Sequence, residues 1–240
     1  MSTTVVAVSS RQPRENEPYY RPGVFTASLR RFGVEPVILG LNEPWGGLMS
    51  KPAHFLKWLS APERKPDERV ILSDCWDVIF ADHPDNISAR IADAFGGSVV
   101  FNTEKSCWPL AELAKYFDDE GTPWRYLNGG VMHGRVADLR VMFESMGLEA
   151  IGLDREEDGR RIEPNDAVPL VMAYVNQPVT IRVDAKCRVF QCFSESSAEE
   201  FDIDATGVKN KLTGTRPGIL HFNGGSKNEL MPQVMAAMGL

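Results

Sequence analysis

Two aspartates that follow a short apolar segment are the residues best suited to metal chemistry. Asp74 and Asp77 come directly after residues 69–72, which are predicted to form a buried strand. Two carboxylates in such a place repel each other and lose hydration unless a cation accompanies them. The pair therefore indicates a divalent metal site. Their spacing alone leaves open an alternative, in which one residue caps a helix and the other is a surface acid.

A histidine close to the end of the chain offers a third ligand. His221 lies in another predicted strand, 218–222, and a loop of small residues leads from it to Lys227. Carboxylates suit Mg²⁺ or Mn²⁺, and an imidazole beside them favours Mn²⁺. A glycine such as Gly224 lets the backbone approach phosphate oxygens, and a lysine neutralises their charge. A lone histidine is more often a structural hydrogen-bonding residue, so its role as a ligand depends on the fold bringing it to the two acids.

Short apolar segments alternate with amphipathic ones, which is typical of an α/β fold. Strands are predicted at 5–9, 36–41, 69–72, 98–101, 180–184, 188–193 and 218–222. Helices are predicted at 25–32, 54–59, 87–95 and 136–146, and a further helix runs from a cap at Asn165 to about residue 174. The segments 11–23, 43–51 and 154–163 are predicted to be loops. We expect one domain over residues 1–240, with a Rossmann-like first half and a more irregular mixed second half. The acidic pair would lie at the carboxyl end of a strand, which is where open α/β sheets bind ligands.

The composition limits the partners. A formal net charge of −7 argues against a protein that binds nucleic acid. No apolar run has the length of a membrane span, and the start of the chain lacks the features of a secretory signal. The four cysteines form no metal-binding pattern, and we expect buried free thiols rather than a disulfide between Cys187 and Cys192. These features predict a cytoplasmic protein without a membrane span.

Several separated segments occur in the order found in the glycosyltransferase domain of procollagen-lysine hydroxylases. The chain resembles that family from about residue 39 to residue 227. The matching segments are ILSDCWDVIF (71–80), VFNTE (100–104), CWP (107–109), YLNGG (126–130), ND (165–166), DAKCRVFQ (184–191) and HFNGGSK (221–227). Their order and spacing, rather than any one of them, carry the resemblance. It implies a GT-A fold, with a mixed sheet flanked by helices, and a UDP-sugar as the donor substrate.

The resemblance also implies roles for single residues. Asp74, Asp77 and His221 would bind Mn²⁺ together with the UDP pyrophosphate. Trp76, between the two acids, would stack on uracil through its large π face. Trp108 would border the acceptor site, with ordinary core packing as the alternative. The remaining residues assigned to the donor are Asn128, Gly129 and Gly130 beside the sugar, and Asn223, Gly224 and Lys227 beside the diphosphate.

The sequence departs from the family pattern at two places. Where the family commonly has Asp-Asp-Gln, this chain has Asn165 and Asp166 followed by Ala167. Both retained polar residues are candidate catalytic groups, and Asp166 would position the acceptor or stabilise positive charge at the anomeric carbon. The family's glycine-rich loop ahead of a lysine appears here as residues 45–51, so Lys51 is a candidate phosphate contact. The hydroxylase portion of the family is absent from the sequence given.

The expected activity is therefore a metal-dependent transfer of a hexose, glucose or galactose first, from a UDP-sugar to a hydroxyl of a glycan, a protein or a small molecule. Two alternatives remain at this point. The altered residues around Asp166 allow a non-catalytic module that binds UDP-sugars. Two acids after a hydrophobic strand also occur in metal-dependent phosphohydrolases, although the aromatic residue between them and the loop after His221 fit a nucleotide-sugar site better.

Overall fold

The structure is a computed structural model and describes residues 2–9, 23–41, 43, 47–147, 155–157, 160–162 and 165–240. The helices in these ranges are α1 (Val24–Arg30), α2 (Ser50–Leu59), α3 (Pro84–Phe95), α4 (Val136–Ser145), α5 (Ala167–Asn176), α6 (Ser226–Glu229) and α7 (Met231–Met238). The strands are β1 (Thr4–Val8), β2 (Val37–Leu39), β3 (Arg69–Asp74), β4 (Val78–Phe80), β5 (Val99–Glu104), β6 (Tyr126–Arg135), β7 (Arg155–Glu157), β8 (Arg160–Ile162), β9 (Ile181–Val183), β10 (Phe190–Cys192), β11 (Phe201–Asp204), β12 (Gly207–Asn210) and β13 (Ile219–His221).

A six-stranded sheet in the order β2-β1-β3-β6-β5-β9 forms the centre of the fold. β1 is parallel to both β2 and β3, whereas β6 is antiparallel to β3 and to β5. A second sheet has the order β10-β13-β4, and its strands β13 and β4 are antiparallel. Only three residues separate β3 from β4, so the chain passes from the first sheet to the second within the segment that holds the two aspartates.

Apolar side chains cover both faces of the central sheet. Alternate residues of β1 point to opposite faces, as the pleat of a strand requires. Val6 and Val8 pack in the cluster that includes residues of α2, α4 and α5, whereas Val5 and Ala7 pack with residues of α1 and α3. The fold is thus a mixed sheet between two layers of helices, and the predicted fold class is confirmed.

A third apolar cluster supports the loop after β13. It contains Phe193, Phe222 and Val234 of α7. The rings of Phe193 and Phe222 are stacked with their centroids 4.4 Å apart. Because Phe222 is fully buried, it fixes the backbone between His221 and the small-residue loop.

The structure differs from the secondary-structure prediction at several places, including β4, β11, β12, α6 and α7, which were not predicted. The segment 43–51 is not a loop to its end, because α2 begins at Ser50 and places Lys51 in its first turn. The segment 154–163 holds the antiparallel hairpin of β7 and β8, and an Asp-Gly pair, a frequent hairpin signal, separates the two strands in sequence. The long strand β6 was not predicted, because its three glycines weaken any strand pattern. Residues 11–22 of the first predicted loop, and residues 45 and 46, lie outside the described residues.

The four cysteines are free, as predicted; Cys187 and Cys192 are buried, and Cys75 and Cys107 are half-buried. None of the described helices combines the length and the apolar character that crossing a bilayer requires. The single domain over 1–240 and the cytoplasmic location stay predictions.

Candidate functional site

The pairing of β4 with β13 brings the two aspartates and the histidine together. His221 is opposite Val78 in the register of these strands, and the backbone N–H of Phe222 donates to the carbonyl of Asp77 at 2.7 Å. The Nε2 atom of His221 lies 3.7 Å from Oδ2 of Asp74 and 3.6 Å from Oδ1 of Asp77. One ligand atom from each of the three residues lies within 4.8 Å of the other two. Three candidate ligands predicted from separate parts of the sequence therefore converge on one point.

The opposite side of the imidazole is fixed by Gly130 and Asn102. A Cβ atom at Gly130 would lie 2.7 Å from Nδ1 and 2.8 Å from Nε2 of His221, so only glycine allows the ring to lie against β6. The hydrogen bonds around Asn102 determine the orientation of its side-chain amide. Its carbonyl oxygen accepts from Nδ1 of His221 at 3.1 Å, and its amide nitrogen donates to the carbonyl of Val131 at 3.0 Å. In that arrangement Nδ1 carries the proton and Nε2 presents its lone pair to the aspartates. Metal-binding histidines are commonly held in this way by a second hydrogen bond.

The charges of the site act strongly on one another. Burial opposes a charge on His221, but the carboxylates of Asp77 and Asp74 outweigh it and raise the histidine's pKa. Burial also opposes ionisation of Asp77, yet His221, Lys227 and Lys51 together lower its pKa. For Asp74 burial dominates over the attraction of Lys51, and the repulsion of Asp77 adds to it, so its pKa is raised. Two adjacent acids with opposite shifts are what a pair of like charges produces in one buried place.

Lys51 lies beside this cluster and contacts two acids. Its side chain is 10% exposed, and its Nζ atom lies 2.8 Å from Oδ2 of Asp166 and 3.2 Å from Oδ1 of Asp74. Nζ also donates to the backbone carbonyl of Gly129 at 3.2 Å. Burial would lower the pKa of Lys51, but the charges of Asp166 and Asp74 raise it above its usual value. The lysine is therefore a fully charged ammonium inside the site.

The start of α5 brings Asp166 to the same place. The N-cap of α5 is Asp166 rather than the predicted Asn165, but the side-chain oxygen of Asn165 still accepts a hydrogen bond from the backbone N–H of Ala167 at 3.1 Å. Asn165 and Asp166 are both buried. A Cβ atom at Gly129 would lie 2.6 Å from Cδ1 of Leu170 and 3.3 Å from Oδ2 of Asp166, so a glycine on β6 makes room for this helix end.

A buried glutamate links the other predicted residues. Glu104 ends β5, and its two oxygens accept hydrogen bonds from Nδ2 of Asn128 at 2.8 Å and from Nδ2 of Asn223 at 2.7 Å. Burial raises the pKa of Glu104, although both amides and the charge of His221 oppose the shift. The other ends of the two amides accept from the backbone N–H groups of Gly130 and Ser194. Asn128 and Asn223 are thus held on either side of Glu104.

The predicted aromatic and loop residues lie nearer the surface. Trp76 is half-buried between the two aspartates. Trp108 is 53% exposed, so the alternative that it packs in the core is wrong. Gly224 has a φ of 63°, a conformation that favours glycine, and a Cβ atom there would lie 3.1 Å from Oγ of Ser194. Lys227 lies in α6, and its positive charge, after that of His221, contributes to the lowered pKa of Asp77.

The sequence analysis gave no role to Asn102 or Glu104, and it placed Gly130 beside the donor sugar rather than against His221. A signal for the first two was available, because β5 is apolar at its start and has polar residues at its buried carboxyl end. Glycines inside a strand mark places where another group approaches the backbone closely, and this rule applies to Gly129 and Gly130. The positions of the groups that approach them follow only from the fold.

Known proteins resemble this chain in sequence and in fold. The sequence profile of the PLOD GT domain family matches residues 2–233. The procollagen-lysine,2-oxoglutarate 5-dioxygenase of Drosophila melanogaster is 27% identical over 223 residues, which are 86% of this chain and 29% of that protein. The human multifunctional procollagen lysine hydroxylase and glycosyltransferase LH3 is 25% identical over 231 residues, which are 90% of this chain and 29% of that protein. This chain therefore spans less than a third of the length of these two relatives.

Two solved structures share the fold. One is a glycosyltransferase involved in the glycosylation of the major capsid of PBCV-1, with a TM-score of 0.54 and 13% identity over 98% of this chain and 100% of that one. The other is mouse xyloside xylosyltransferase 1 in its apo form, with a TM-score of 0.54 and 13% identity over 94% of this chain and 99% of that one. Their likeness supports the GT-A fold, and the profile match, which covers nearly the whole sequence, supports the family. The chain belongs to the PLOD GT domain family of glycosyltransferases.

Proposed function

We propose that this chain transfers a hexose, glucose or galactose, from a UDP-sugar to a hydroxyl group of a glycan, a protein or a small molecule, with a divalent metal held by Asp74, Asp77 and His221. The observation that supports the proposal best is the convergence of these three side chains at the junction of the two sheets. The four free thiols favour a reducing compartment, and the cytoplasm remains the proposed location.

The three side chains fit the proposed metal. Two carboxylates and one imidazole suit Mn²⁺ better than Mg²⁺, because imidazole prefers transition metals. Such an ion takes about six ligands, so a site with three protein ligands leaves positions for diphosphate oxygens. The hydrogen bond between Nδ1 of His221 and Asn102 supports the assignment, because it directs the free lone pair of Nε2 toward the acids.

In the proposed reaction the bond between the anomeric carbon and the β-phosphate oxygen breaks, and UDP leaves with the electron pair. Asp74, Asp77 and His221 would hold the divalent metal, which would supply positive charge against the departing diphosphate. Lys227 and the backbone near Gly224 add positive charge and N–H donors on the same side. Trp76 stacks on uracil and orients the nucleotide. The acceptor oxygen forms the new bond to the anomeric carbon, and its proton passes to the departing UDP or to the solvent.

Other residues position the sugar and the acceptor. Asp166 is assigned to the charge at the anomeric carbon or to the acceptor hydroxyl, and Asn165 fixes the helix end that carries it. Asn128 and Gly129 lie on β6 beside Glu104 and Asp166, where they would contact the donor sugar. The exposed indole of Trp108 would form part of the acceptor surface.

A donor panel tests the proposal. UDP-glucose, UDP-galactose and a GDP-sugar are incubated with the protein and Mn²⁺, and nucleotide release is followed with and without EDTA. We expect slow release of UDP from one UDP-hexose, dependent on the metal and lost in Asp77→Asn. The exposed Asp67→Asn carries the same chemical change outside the site and should behave as wild type.

Other outcomes support the alternatives. UDP-sugar binding by calorimetry without release of UDP under any condition favours the non-catalytic module. Release of inorganic phosphate from simple phosphate esters, without selectivity for uridine, favours a phosphohydrolase. Equal rates of UDP release with Mn²⁺ and with EDTA contradict the metal assignment.

A further inference from the structure

Lys51, one of the proposed phosphate contacts, has two carboxylates and a backbone carbonyl as partners. We propose that Lys51 is a positioning residue rather than a phosphate contact, and that its ammonium group holds the carboxylate of Asp166 in place by tying it to the metal ligand Asp74. The inference rests on the proposed function, because it assigns a task to Lys51 within the same site.

The hydrogen-bonding capacity of the ammonium group supports this assignment. A lysine has three N–H donors and no acceptor. Nζ of Lys51 has three oxygen neighbours: Asp166 at 2.8 Å, Asp74 at 3.2 Å and the carbonyl of Gly129 at 3.2 Å. The contacts with Asp74 and Gly129 are hydrogen bonds, and the contact with Asp166 is an ion pair, so a phosphate oxygen that approached Nζ would have to displace one of these three oxygens. The 10% exposure of the side chain leaves little surface for a diphosphate to reach.

Asp166 depends on this cation. Its side chain is 8% exposed, and its Oδ2 atom makes the shortest of the three contacts with Lys51. The negative charges of Asp166 and Asp74 repel each other, and the charge of Asp166 contributes to the raised pKa of Asp74. A buried carboxylate beside a like charge is costly unless a cation compensates it. Without the ammonium group, the repulsion from Asp74 would turn the carboxylate of Asp166 away from the position that the proposed reaction needs.

Lys51 also determines how Asp74 is oriented. One oxygen of Asp74, Oδ1, faces Lys51, whereas the other, Oδ2, lies 3.7 Å from Nε2 of His221. One oxygen of the carboxylate therefore contacts the ammonium group of Lys51, and the other faces the proposed metal position. A positive charge so close to that position repels a divalent ion, so Lys51 is expected to reduce rather than to increase the affinity for the metal.

Four variants test the assignment: Lys51→Met, Asp166→Asn, the double variant with both changes, and Lys227→Met as the matched lysine that is assigned to the phosphates. Thermal unfolding, Mn²⁺ affinity and UDP affinity in the presence of Mn²⁺ are measured for each. Lys51→Met leaves a buried acid without its partner and should lower the Tm by about 6–20 °C. The double variant removes the uncompensated charge and should recover at least half of that loss.

The binding measurements separate the two lysines. Lys51→Met should keep UDP affinity within a few-fold of wild type and Mn²⁺ affinity equal or higher. Lys227→Met should lose about 10- to 100-fold in UDP affinity, the range for one charge-assisted hydrogen bond. A loss of this size in Lys51→Met, with Mn²⁺ affinity unchanged, would identify Lys51 as a phosphate contact and overturn the proposal. A double variant no more stable than Lys51→Met would also overturn it.

Turnover gives a readout that mere packing would not change. With the productive donor, Lys51→Met should reduce kcat of UDP-sugar hydrolysis while KM stays within a few-fold. In the Asp166→Asn background the same change should cost no further activity, because Lys51 acts through Asp166. Losses that simply add would contradict the proposal. If no UDP-sugar is hydrolysed at all, the proposed function fails, whereas the unfolding and metal measurements still decide the role of Lys51.

Discussion

Replacing Gly130 with alanine tests whether the contact between β6 and His221 determines metal binding. The new Cβ atom would lie 2.7 Å from Nδ1, whereas ordinary contact begins at 3.4 Å, so the ring must move by at least 3.4 minus 2.7, or 0.7 Å. Metal–ligand distances tolerate only about 0.2 Å. We therefore expect Gly130→Ala to remove His221 from the set of ligands.

The magnitude follows from the loss of a ligand. Disturbing a group that only orients a ligand costs about 10- to 100-fold in metal affinity. Displacing the ligand itself should cost at least about 100-fold, or about 3 kcal/mol. The overpacked strand should also lose about 1–3 kcal/mol of folding stability. UDP affinity should fall only when Mn²⁺ is present, since the nucleotide contacts assigned to Trp76 are unchanged.

Calorimetric titration with Mn²⁺ and then with UDP measures the effect, and thermal unfolding shows that the variant is folded. Gly97→Ala is the matched control, because a Cβ atom there meets nothing within 4 Å and the residue is exposed. The double variant Gly130→Ala with His221→Ala provides a further test. Once the imidazole is gone the methyl group has room, so the double variant should bind Mn²⁺ no more weakly than His221→Ala alone.

Full Mn²⁺ and UDP affinity in a folded Gly130→Ala protein would refute the reasoning, because it would mean that the ring can move without loss of the metal. Affinity losses that add in the double variant would refute it as well, since they would show that the methyl group acts on something other than His221.

Three further predictions concern other residues. Trp76→Ala should cost about 1–3 kcal/mol of UDP affinity and should abolish any quenching of tryptophan fluorescence by UDP; an unchanged quench would assign the signal to another indole. Asp166→Asn should leave UDP and Mn²⁺ affinity within a few-fold of wild type but lower the rate of UDP release about 10²- to 10⁴-fold, and full turnover would show that the critical group is elsewhere. Burial, together with the charge of Arg69, lowers the pKa of His133 to about 4, so its imidazole stays neutral beside Ser88 while the unfolded chain takes up a proton at higher pH. Relative to His133→Gln, the wild type should therefore lose about 3 kcal/mol of unfolding free energy as the pH falls from about 6.5 to 4. Urea denaturation of both proteins over this pH range measures the difference. A difference that does not change with pH would show that His133 is charged in the folded protein.

The sequence was informative where local pattern and position agree. The apolar strand before Asp74 and the one that holds His221 could be recognised, and Asp74 lies at the carboxyl end of its strand, as predicted. The start of α5 was predicted to within one residue, because it depends on local sequence, although its N-cap is Asp166 and not Asn165. The roles of these residues in catalysis stay predictions.

The sequence was uninformative where distant segments decide the outcome. Lys51 was assigned to phosphates because a glycine-bearing segment precedes it, but its partners come from β3, β6 and the start of α5. Glu104 has two amide partners that are 24 and 119 residues away in the chain. The glycines of β6 weaken its strand pattern in the sequence. Two of them are also needed for the site, because a side chain there would collide with His221 or Asp166.

The antiparallel pairing of β4 with β13 has a consequence for folding. Asp77 and His221 are separated by 221 minus 77, or 144, residues, and they meet only when these two strands are joined. Closing so long a loop costs conformational entropy. A metal that binds the joined strands and not the open chain would stabilise the native state in proportion to the logarithm of its concentration. The contact that assembles the ligands would thus link metal binding to folding, because the ion would stabilise the pairing of two segments that are far apart in the sequence.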